Sequence, residues 1–209
     1  MRRLRNKKNS PGFTIIEMMV VIAIFLAIIT IMTMYFVRTY NLNRFMIEQH
    51  DAINFGKKGI ESMVKEIREA SFAENGDYPI ADAQSQSFVF YSDIDSDNQV
   101  EKVRYYLENT NLMKEVTKPT AGGVPEYLSS NTSTSTVAGF VRNSTTPIFY
   151  YYNGDYPSDT ANNPLSLPTN ISDIKLIQLY LEINIDPSKA PDDFVLDVFV
   201  NLRNIKDNL

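Results

Sequence analysis

The sequence predicts an α+β protein in which a long N-terminal helix packs on an antiparallel β-sheet. Two observations predict this class. Between Pro11 and Pro79 the chain contains no proline, and its apolar residues pass from an unbroken run to helical spacing. Beyond residue 80 the apolar period changes to two, which is typical of strands with one face on a core. A helix and a sheet of this kind are expected to pack as two layers.

Charge is distributed unevenly along the 209 residues. The formal net charge is −5, yet five of the 20 Lys and Arg residues lie between Arg2 and Lys8, ahead of any Asp or Glu. A basic flank beside an apolar segment predicts that this end stays in the cytoplasm and that the rest of the chain crosses outward. The remaining body is acidic, which argues against nucleic-acid binding through a basic face.

The segment after the basic flank is long enough to span a membrane. From Met18 to Val37 there are 20 consecutive uncharged residues, and about 20 apolar residues in a helix cross a hydrocarbon core of roughly 30 Å. A cleaved secretory signal has a shorter apolar core followed by small residues, whereas this run ends in large residues and Arg38. The sequence therefore predicts a retained single-pass helix, with Glu17 as an unusual carboxylate at its edge.

The helix is expected to continue past the membrane. Its apolar residues then recur at steps of three, four or seven, as on one buried helix face. These residues are Leu42, Phe45, Met46, Ile53, Ile60, Met63, Val64, Ile67 and Ala70. Gly56 and Gly59 weaken the middle without ending it. We expect one helix from about residue 14 to about residue 72, with 13–37 as the membrane half and 38–72 as the soluble amphipathic half.

Alternating segments in residues 73–209 predict one antiparallel sheet domain. They are SFVFY, VEKVRYYLEN at 100–109, NLMKEV, PIFYYYN at 147–153, IKLIQLYLEINI at 174–185 and DFVLDVFVNLRN at 193–204. Residues 118–147 and 153–170 are rich in Ser, Thr, Gly, Asn and Pro, which indicates two long surface loops. The Ser/Thr tract at 129–136 is interpreted as a solvated linker, with glycosylation as the alternative.

The residues at the start of the helix form a series with specific spacing. A basic leader at 1–12 ends in Gly12, Phe13 follows, and Thr14-Ile15-Ile16-Glu17 opens the apolar run. This series resembles the prepilin signature of type IV pilins and type II secretion pseudopilins. In that family a prepilin peptidase cuts after the glycine and N-methylates the new first residue, and the glutamate at the fifth mature position serves in assembly. The resemblance implies cleavage between Gly12 and Phe13, methylation of Phe13 and an assembly role for Glu17.

The resemblance also implies a structural function. The chain would be a subunit of a type IV pilus or pseudopilus with a pilin-like lollipop fold, first in the inner membrane and then in the pilus or at the cell surface. Its partners would be prepilin peptidase, other pilin or pseudopilin subunits, the inner-membrane assembly platform and the lipid bilayer. The sheet segments after the helix resemble those of larger minor pilins and J-type minor pseudopilins.

Electrostatics gives Glu17 a purpose in such an assembly. Cleavage after Gly12 would create a cationic amine on Phe13, one helical turn from Glu17. A bare carboxylate in an apolar core is costly, whereas a paired one is tolerated. A staggered neighbour whose amine meets this carboxylate would therefore set the packing register. The simpler alternative is a membrane-edge glutamate that faces headgroup water.

Catalytic chemistry has few residues to draw on. The chain contains one histidine, His50, and no cysteine, so a His/Cys metal cluster cannot be built, and the one histidine that a Ser-His-Asp arrangement could use falls on the predicted helix. The AGG segment at 121–123 lacks the lysine of a phosphate-binding loop. No catalytic residue is predicted, the protein is expected not to be an enzyme, and His50 is interpreted as an ordinary, partly exposed helix residue.

One acidic cluster in SDIDSDNQVE is a candidate metal site. It consists of Asp93, Asp95, Asp97 and Glu101. Alternating carboxylates suit Ca²⁺, but the EF-hand pattern fails, because Asn98 stands at the glycine position and Arg104 at that of the bidentate glutamate. A polar hairpin turn is the favoured interpretation and a calcium site the alternative; no other cofactor is expected.

Two other functional classes remain as alternatives. One is an uncleaved single-pass membrane protein whose extracytoplasmic domain binds a ligand, for which Glu17 would be dispensable. The other is a membrane-tethered enzyme that uses the acidic residues at 93–101 with a metal. The N-terminal residue of the native protein distinguishes the first alternative from a processed subunit, and metal-dependent activity would reveal the second.

Overall fold

A computed structural model of the chain describes residues 12–203. The basic residues Arg2–Lys8, and with them the predicted leader apart from Gly12, lie outside the described residues, as does Asn204 of the last predicted strand. The chain divides into two compact units between Ile47 and Glu48. Each unit is described by itself.

The first unit contains the N-terminal part of helix α1 (Ile15–Arg68), and residues 12–14 directly before it are not helical. The helix begins one residue after the predicted start and ends before the predicted end near residue 72. Leu42 and Met46, which the spacing predicts on a buried face, are 56% and 49% exposed. That part of the prediction is wrong, because helical spacing marks a face that can be buried and does not supply the layer that buries it.

Within residues 48–203, the second unit contains the rest of α1 and eight antiparallel strands in two sheets. Sheet A follows chain order, with β1 (Ile80–Ala83), β2 (Ser87–Ser92), β3 (Glu101–Glu108), β4 (Asn111–Thr117) and β5 (Thr132–Ala138). Sheet B consists of β6 (Phe149–Tyr152), β7 (Leu176–Ile183) and β8 (Phe194–Asn201). The α+β class is confirmed, although two sheets are present where the pattern predicts one.

Strands β1 and β5 are absent from the sequence-based prediction. β5 lies inside the surface loop predicted at 118–147 and pairs with β4 from Leu112↔Ala138 to Thr117↔Thr132. The loop prediction is wrong there, and the tract at 129–136 is not a linker. The reason is that β5 is an edge strand whose first residues face solvent. Such a strand can be built from β-branched threonine with little apolar content.

The C-terminal part of α1 buries one face in the core of the second unit. Ile60, Met63 and Ile67 are at most 3% exposed and share one apolar cluster with side chains of both sheets. The ring of Phe88 in sheet A lies 5.8 Å from that of Phe149 in sheet B. Fully burying a large apolar side chain contributes about 1.5–3 kcal/mol, so this shared cluster stabilises the packing of α1 on the sheets.

A buried carboxylate also links α1 to sheet A. Glu66 is 7% exposed. Its Oε2 accepts a hydrogen bond of 2.7 Å from the Tyr105 hydroxyl, and its Oε1 accepts bonds of 2.7 Å from Lys114 Nζ and 2.9 Å from Ser62 Oγ. Burial, with the neighbouring Glu66 charge, raises the pKa of Tyr105 well above its ordinary value, so this hydroxyl stays a donor. The network satisfies a charge that would otherwise be costly in the core.

Gly59 is required where α1 crosses close to β5. A Cβ at Gly59 would overlap the backbone carbonyl and the side chain of Val137, whereas one at Gly56 would overlap only the end of the Ile183 side chain. We expect Gly59→Ala to destabilise the second unit by about 1–3 kcal/mol through overpacking, although alanine is favoured over glycine in a helix by about 1 kcal/mol.

The measurement is chemical denaturation of the full chain in detergent, followed by near-ultraviolet circular dichroism. Gly56→Ala is expected to cost less than Gly59→Ala, because a side-chain end can move more easily than a backbone carbonyl. Gly154→Ala is the control, since its Cβ would come no closer than 3.9 Å to a neighbouring atom. Stabilisation by Gly59→Ala would show that the glycine is only a weak helix former.

Candidate functional site

The first turn of α1 is closed by a reciprocal pair of side chains. The backbone N–H and the hydroxyl of Thr14 donate to Glu17 Oε2 at 2.8 and 2.9 Å, and the Glu17 backbone N–H donates to Thr14 Oγ1 at 3.3 Å. This arrangement is a capping box. The Glu17 carboxylate thus lies at the N-terminal end of α1, where the helix dipole favours negative charge.

A sequence signal for this cap exists. Threonine followed three residues later by glutamate, just before an apolar run, is the capping-box pattern, and Thr14-Ile15-Ile16-Glu17 matches it. The charge argument for Glu17 leaves Thr14 without a role, and the structure supplies one. Glu17 therefore has a structural task inside its own chain, in addition to any role in assembly.

Gly12 and Phe13 precede the helix in exposed, non-helical backbone. The Phe13 side chain is 81% exposed, and within residues 12–203 a Cβ at Gly12 would meet no atom closer than 4 Å. Exposed, irregular backbone is the form of chain that peptidases cleave most readily. Among the described residues, nothing covers the peptide bond between Gly12 and Phe13, so a peptidase could reach it.

From Ile15 to Val37, helix α1 presents a continuous apolar surface. Its large apolar side chains in this stretch are 47–83% exposed, and an 18-residue window has a mean hydropathy of 2.9. Thr30 and Thr33 each donate a 2.8 Å hydrogen bond to the backbone carbonyl four residues earlier, so both hydroxyls are satisfied inside the helix. By length and composition this helix can cross a membrane. An exposed apolar surface of this size indicates contact with lipid or with another protein.

In the β2–β3 loop, acidic side chains converge. The carboxylate oxygens of Asp93, Asp95 and Glu101 lie within 4.8 Å of one another, and within residues 12–203 no other acidic or histidine trio comes this close. Asp97, the fourth residue of the sequence-based candidate, is outside this trio. Lys118, which follows β4, lies 2.7 Å from Asp95 and 3.2 Å from Asp97.

The same loop has the hydrogen bonds of a polar turn. The Asp97 N–H donates to the Asp95 carboxylate and the Gln99 N–H to that of Asp97. Ser96 and Asn98 adopt positive φ values of 61° and 64°. The predicted hairpin turn between β2 and β3 is therefore present, and a turn of this kind does not prevent its carboxylates from binding a cation. His50 is exposed on α1, outside this loop.

Comparison with known families identifies the N-terminal segment. The family model described as the prokaryotic N-terminal methylation motif matches residues 7–33, a range that includes Gly12, Phe13 and Glu17. The chain carries the type IV pilin signature. No curated protein matches this pilin-like chain. Pilins and pseudopilins are structural proteins, and precursors with this signature are processed by prepilin peptidase and assemble with other pilin subunits. The apolar helix of the pilin-like chain fits a single-pass arrangement in the inner membrane.

Proposed function

We propose that this pilin-like precursor is a structural subunit, of the minor type, in a type IV pilus or pseudopilus. Prepilin peptidase cleaves it after Gly12 and methylates Phe13, and the mature chain polymerises through α1. The match of residues 7–33 to the methylation motif carries the proposal. The exposed cleavage position and the apolar surface of α1 support it.

Membrane orientation follows from the basic residues ahead of the helix. The five Lys and Arg residues at Arg2–Lys8 hold this end in the cytoplasm, so the C-terminal unit is placed outside the inner membrane. Prepilin peptidase would then meet the bond after Gly12 on the cytoplasmic side. The lipid bilayer covers the apolar surface of α1 before assembly.

On assembly, the apolar surface of α1 exchanges contact with lipid for contact with the helices of neighbouring subunits. When the subunit leaves the bilayer, the side chains between Ile15 and Val37 need an apolar environment, because a contiguous exposed surface of this size marks an interaction site. The helices of neighbouring subunits supply it. The methylated amine of Phe13 remains cationic, and pairing it with Glu17 of a neighbour removes the cost of two unpaired charges in the filament core.

A minor role is supported by the folded unit after the helix. Its strands include the segments whose sequence resembles those of larger minor pilins and J-type minor pseudopilins, which prime assembly or cap the tip of a filament. Its partners are therefore other pilin or pseudopilin subunits and the inner-membrane assembly platform.

The N-terminal residue of the native protein tests the proposal. We expect mass spectrometry of membrane and sheared surface fractions to find a mature chain that begins with N-methylated Phe13. Deletion of the prepilin peptidase is expected to leave the chain starting at Met1 in the membrane fraction. The ratio of this chain to the main filament subunit in sheared material reports a minor or a major role.

A chain that still begins at Met1 in cells with active prepilin peptidase would contradict the proposal. The protein would then be an uncleaved single-pass membrane protein whose extracytoplasmic unit binds a ligand, and that ligand would have to be identified. Gly12→Val is the matched variant, because it changes the cleavage position and leaves Phe13, Glu17 and the helix intact.

A further inference from the structure

Three buried oxygen atoms around the β2–β3 loop have no hydrogen-bond partner. They are Ser92 Oγ, Asp93 Oδ1 and Glu101 Oε1, and within residues 12–203 only Gln86 Oε1 shares this condition. Ser92 and Glu101 are 0% exposed and pair directly across β2 and β3, so their side chains share one face of sheet A. Folded proteins rarely leave buried polar atoms unpaired, and three at one place indicate a missing partner.

The second oxygen of each of the two carboxylates, Asp93 and Glu101, is already held by the backbone. The Asn98 N–H donates to Asp93 Oδ2 at 3.1 Å, and the Ile94 N–H donates to Glu101 Oε2 at 3.1 Å. Each carboxylate is thereby fixed in orientation, while its other oxygen accepts no hydrogen bond from the described residues; Glu101 Oε1 has the Lys118 ammonium nearby, at 3.5 Å. A pair of carboxylates held this way is prepared for a ligand that accepts electron pairs from oxygen, such as a metal cation.

Charge at the site is also unbalanced. The loop and the start of β3 bring four carboxylates together, those of Asp93, Asp95, Asp97 and Glu101, and Lys118 pairs with the last three. Lys118 Nζ lies 2.7 Å from Asp95 Oδ2 but 3.5 Å from Glu101 Oε1. The Lys118 side chain is 50% exposed, so it covers the outer side of the cluster and can turn into water.

The single positive charge of Lys118 is shared among the carboxylates of Asp95, Asp97 and Glu101, so it offsets only part of their mutual repulsion. A divalent cation bound among them would offset more of it, since a bound metal ion is the largest local charge in such a site.

We propose that Asp93, Asp95 and Glu101 bind a Ca²⁺ ion. Calcium takes six to eight oxygen ligands at about 2.3–2.6 Å, so opposite ligands stand about 4.6–5.2 Å apart, whereas the shorter bonds of Mg²⁺ bring them to about 4.0–4.2 Å. The observed spread, up to 4.8 Å, fits the larger shell. Waters complete the coordination, and Lys118 turns outward because its charge repels the ion.

Neighbouring loops hold this site in place. The Val100 N–H, next to Glu101, donates to Glu74 Oε1 at 3.0 Å, and the Tyr127 hydroxyl donates to the Val100 carbonyl at 2.7 Å. Tyr127 also accepts from the Glu74 N–H at 3.2 Å. Bound Ca²⁺ is therefore expected to stabilise the β2–β3 loop together with these two segments. The site lies in the second unit and does not depend on the proposed function.

The test is isothermal titration calorimetry of the full chain in detergent after treatment with EDTA. We expect CaCl₂ to bind one site with a Kd of about 10⁻⁴–10⁻³ M, as in extracellular calcium modules, and MgCl₂ to bind at least about tenfold more weakly. Asp95→Asn is expected to weaken Ca²⁺ binding by at least about tenfold, because it removes one carboxylate ligand. Asp192→Asn, at an exposed acid elsewhere in the unit, serves as the matched control.

Lys118→Gln provides a second test that leaves every carboxylate in place. Loss of the competing ammonium is expected to tighten Ca²⁺ binding by about tenfold, the equivalent of about 1.4 kcal/mol. Absence of saturable heat up to millimolar CaCl₂ would overturn the proposal. Equal weakening by Asp95→Asn and Asp192→Asn would also overturn it, because that result would indicate screening of surface charge. Weaker binding in Lys118→Gln would overturn it as well, because it would show that the ammonium does not compete with the ion.

Discussion

Glu66→Ala is expected to destabilise the second unit by about 3–5 kcal/mol, because removal of one partner leaves Lys114 as an uncompensated, largely buried charge. The Tyr105 hydroxyl loses its acceptor in the same change. Total stability of a domain is about 5–15 kcal/mol, so the loss would be a large fraction. Urea denaturation of the full chain in detergent, followed by near-ultraviolet circular dichroism of the buried aromatic residues, measures it.

Glu61→Ala is the matched control for this change. Glu61 lies on the exposed side of the same helix, so its replacement is expected to change stability by less than about 0.5 kcal/mol. The triple variant Glu66→Leu, Tyr105→Phe, Lys114→Met replaces the network by apolar groups of similar volume, and it is expected to recover most of the loss. Equal effects of Glu66→Ala and Glu61→Ala would show that the buried network does not stabilise the fold.

Glu17→Gln is expected to yield a chain that is inserted and cleaved but incorporated into filaments more than about tenfold less efficiently. Glutamine preserves the hydrogen-bonding geometry of a capping box. The variant therefore removes the charge and leaves the helix start in place. An unpaired Phe13 amine in an apolar core costs several kcal/mol, which accounts for the size of the effect. The measurement is the amount of mature chain in sheared material relative to the membrane fraction.

Thr14→Ala is the complementary variant for Glu17. It removes the capping hydroxyl at a cost of about 0.5–2 kcal/mol to the helix start and leaves the Glu17 charge. We expect it to be incorporated nearly as well as the unchanged chain. The reverse pattern, in which Glu17→Gln assembles normally and Thr14→Ala fails, would mean that Glu17 acts as a helix cap alone.

Elements with strong apolar periodicity could be predicted from the sequence. The helix and the six predicted strands correspond to α1 and to β2, β3, β4, β6, β7 and β8. In β7, the alternation of Ile177, Leu179, Leu181 and Ile183 with polar residues is the alternation of buried and half-buried side chains in the structure. These segments are predictable because burial on one face imposes their residue pattern.

Features that depend on distant partners could not be predicted in this way. β5 has a Ser/Thr composition typical of loops and becomes a strand because β4 offers it hydrogen bonds. In the sequence, Gly59 is only a residue that weakens a helix. The structure shows that Val137 leaves no space for a side chain there. Glu66 reads as one more charge on an amphipathic helix, and only the positions of Tyr105 and Lys114 show that it is buried.

The candidate sites also differ in whether they depend on neighbouring or on distant residues. The spacing from Gly12 to Glu17 is contiguous in sequence, so it was recognisable without a structure, and the capping-box pattern could have been found there too. The acidic residues of the β2–β3 loop were also visible as a cluster. Their unpaired oxygens were not, since the burial of Ser92 and Glu101 depends on the packing of sheet A.

The threonines of the apolar helix have a mechanical consequence in the proposed filament. Because Thr30 and Thr33 direct their hydroxyls to their own backbone, the surface between Met18 and Met34 offers neighbouring helices dispersion contacts without directional bonds. Contacts of this kind resist separation strongly and sliding weakly. Filament segments built on such helices would therefore stretch and twist under load, with the polar group at Glu17 as the fixed point to which each subunit returns.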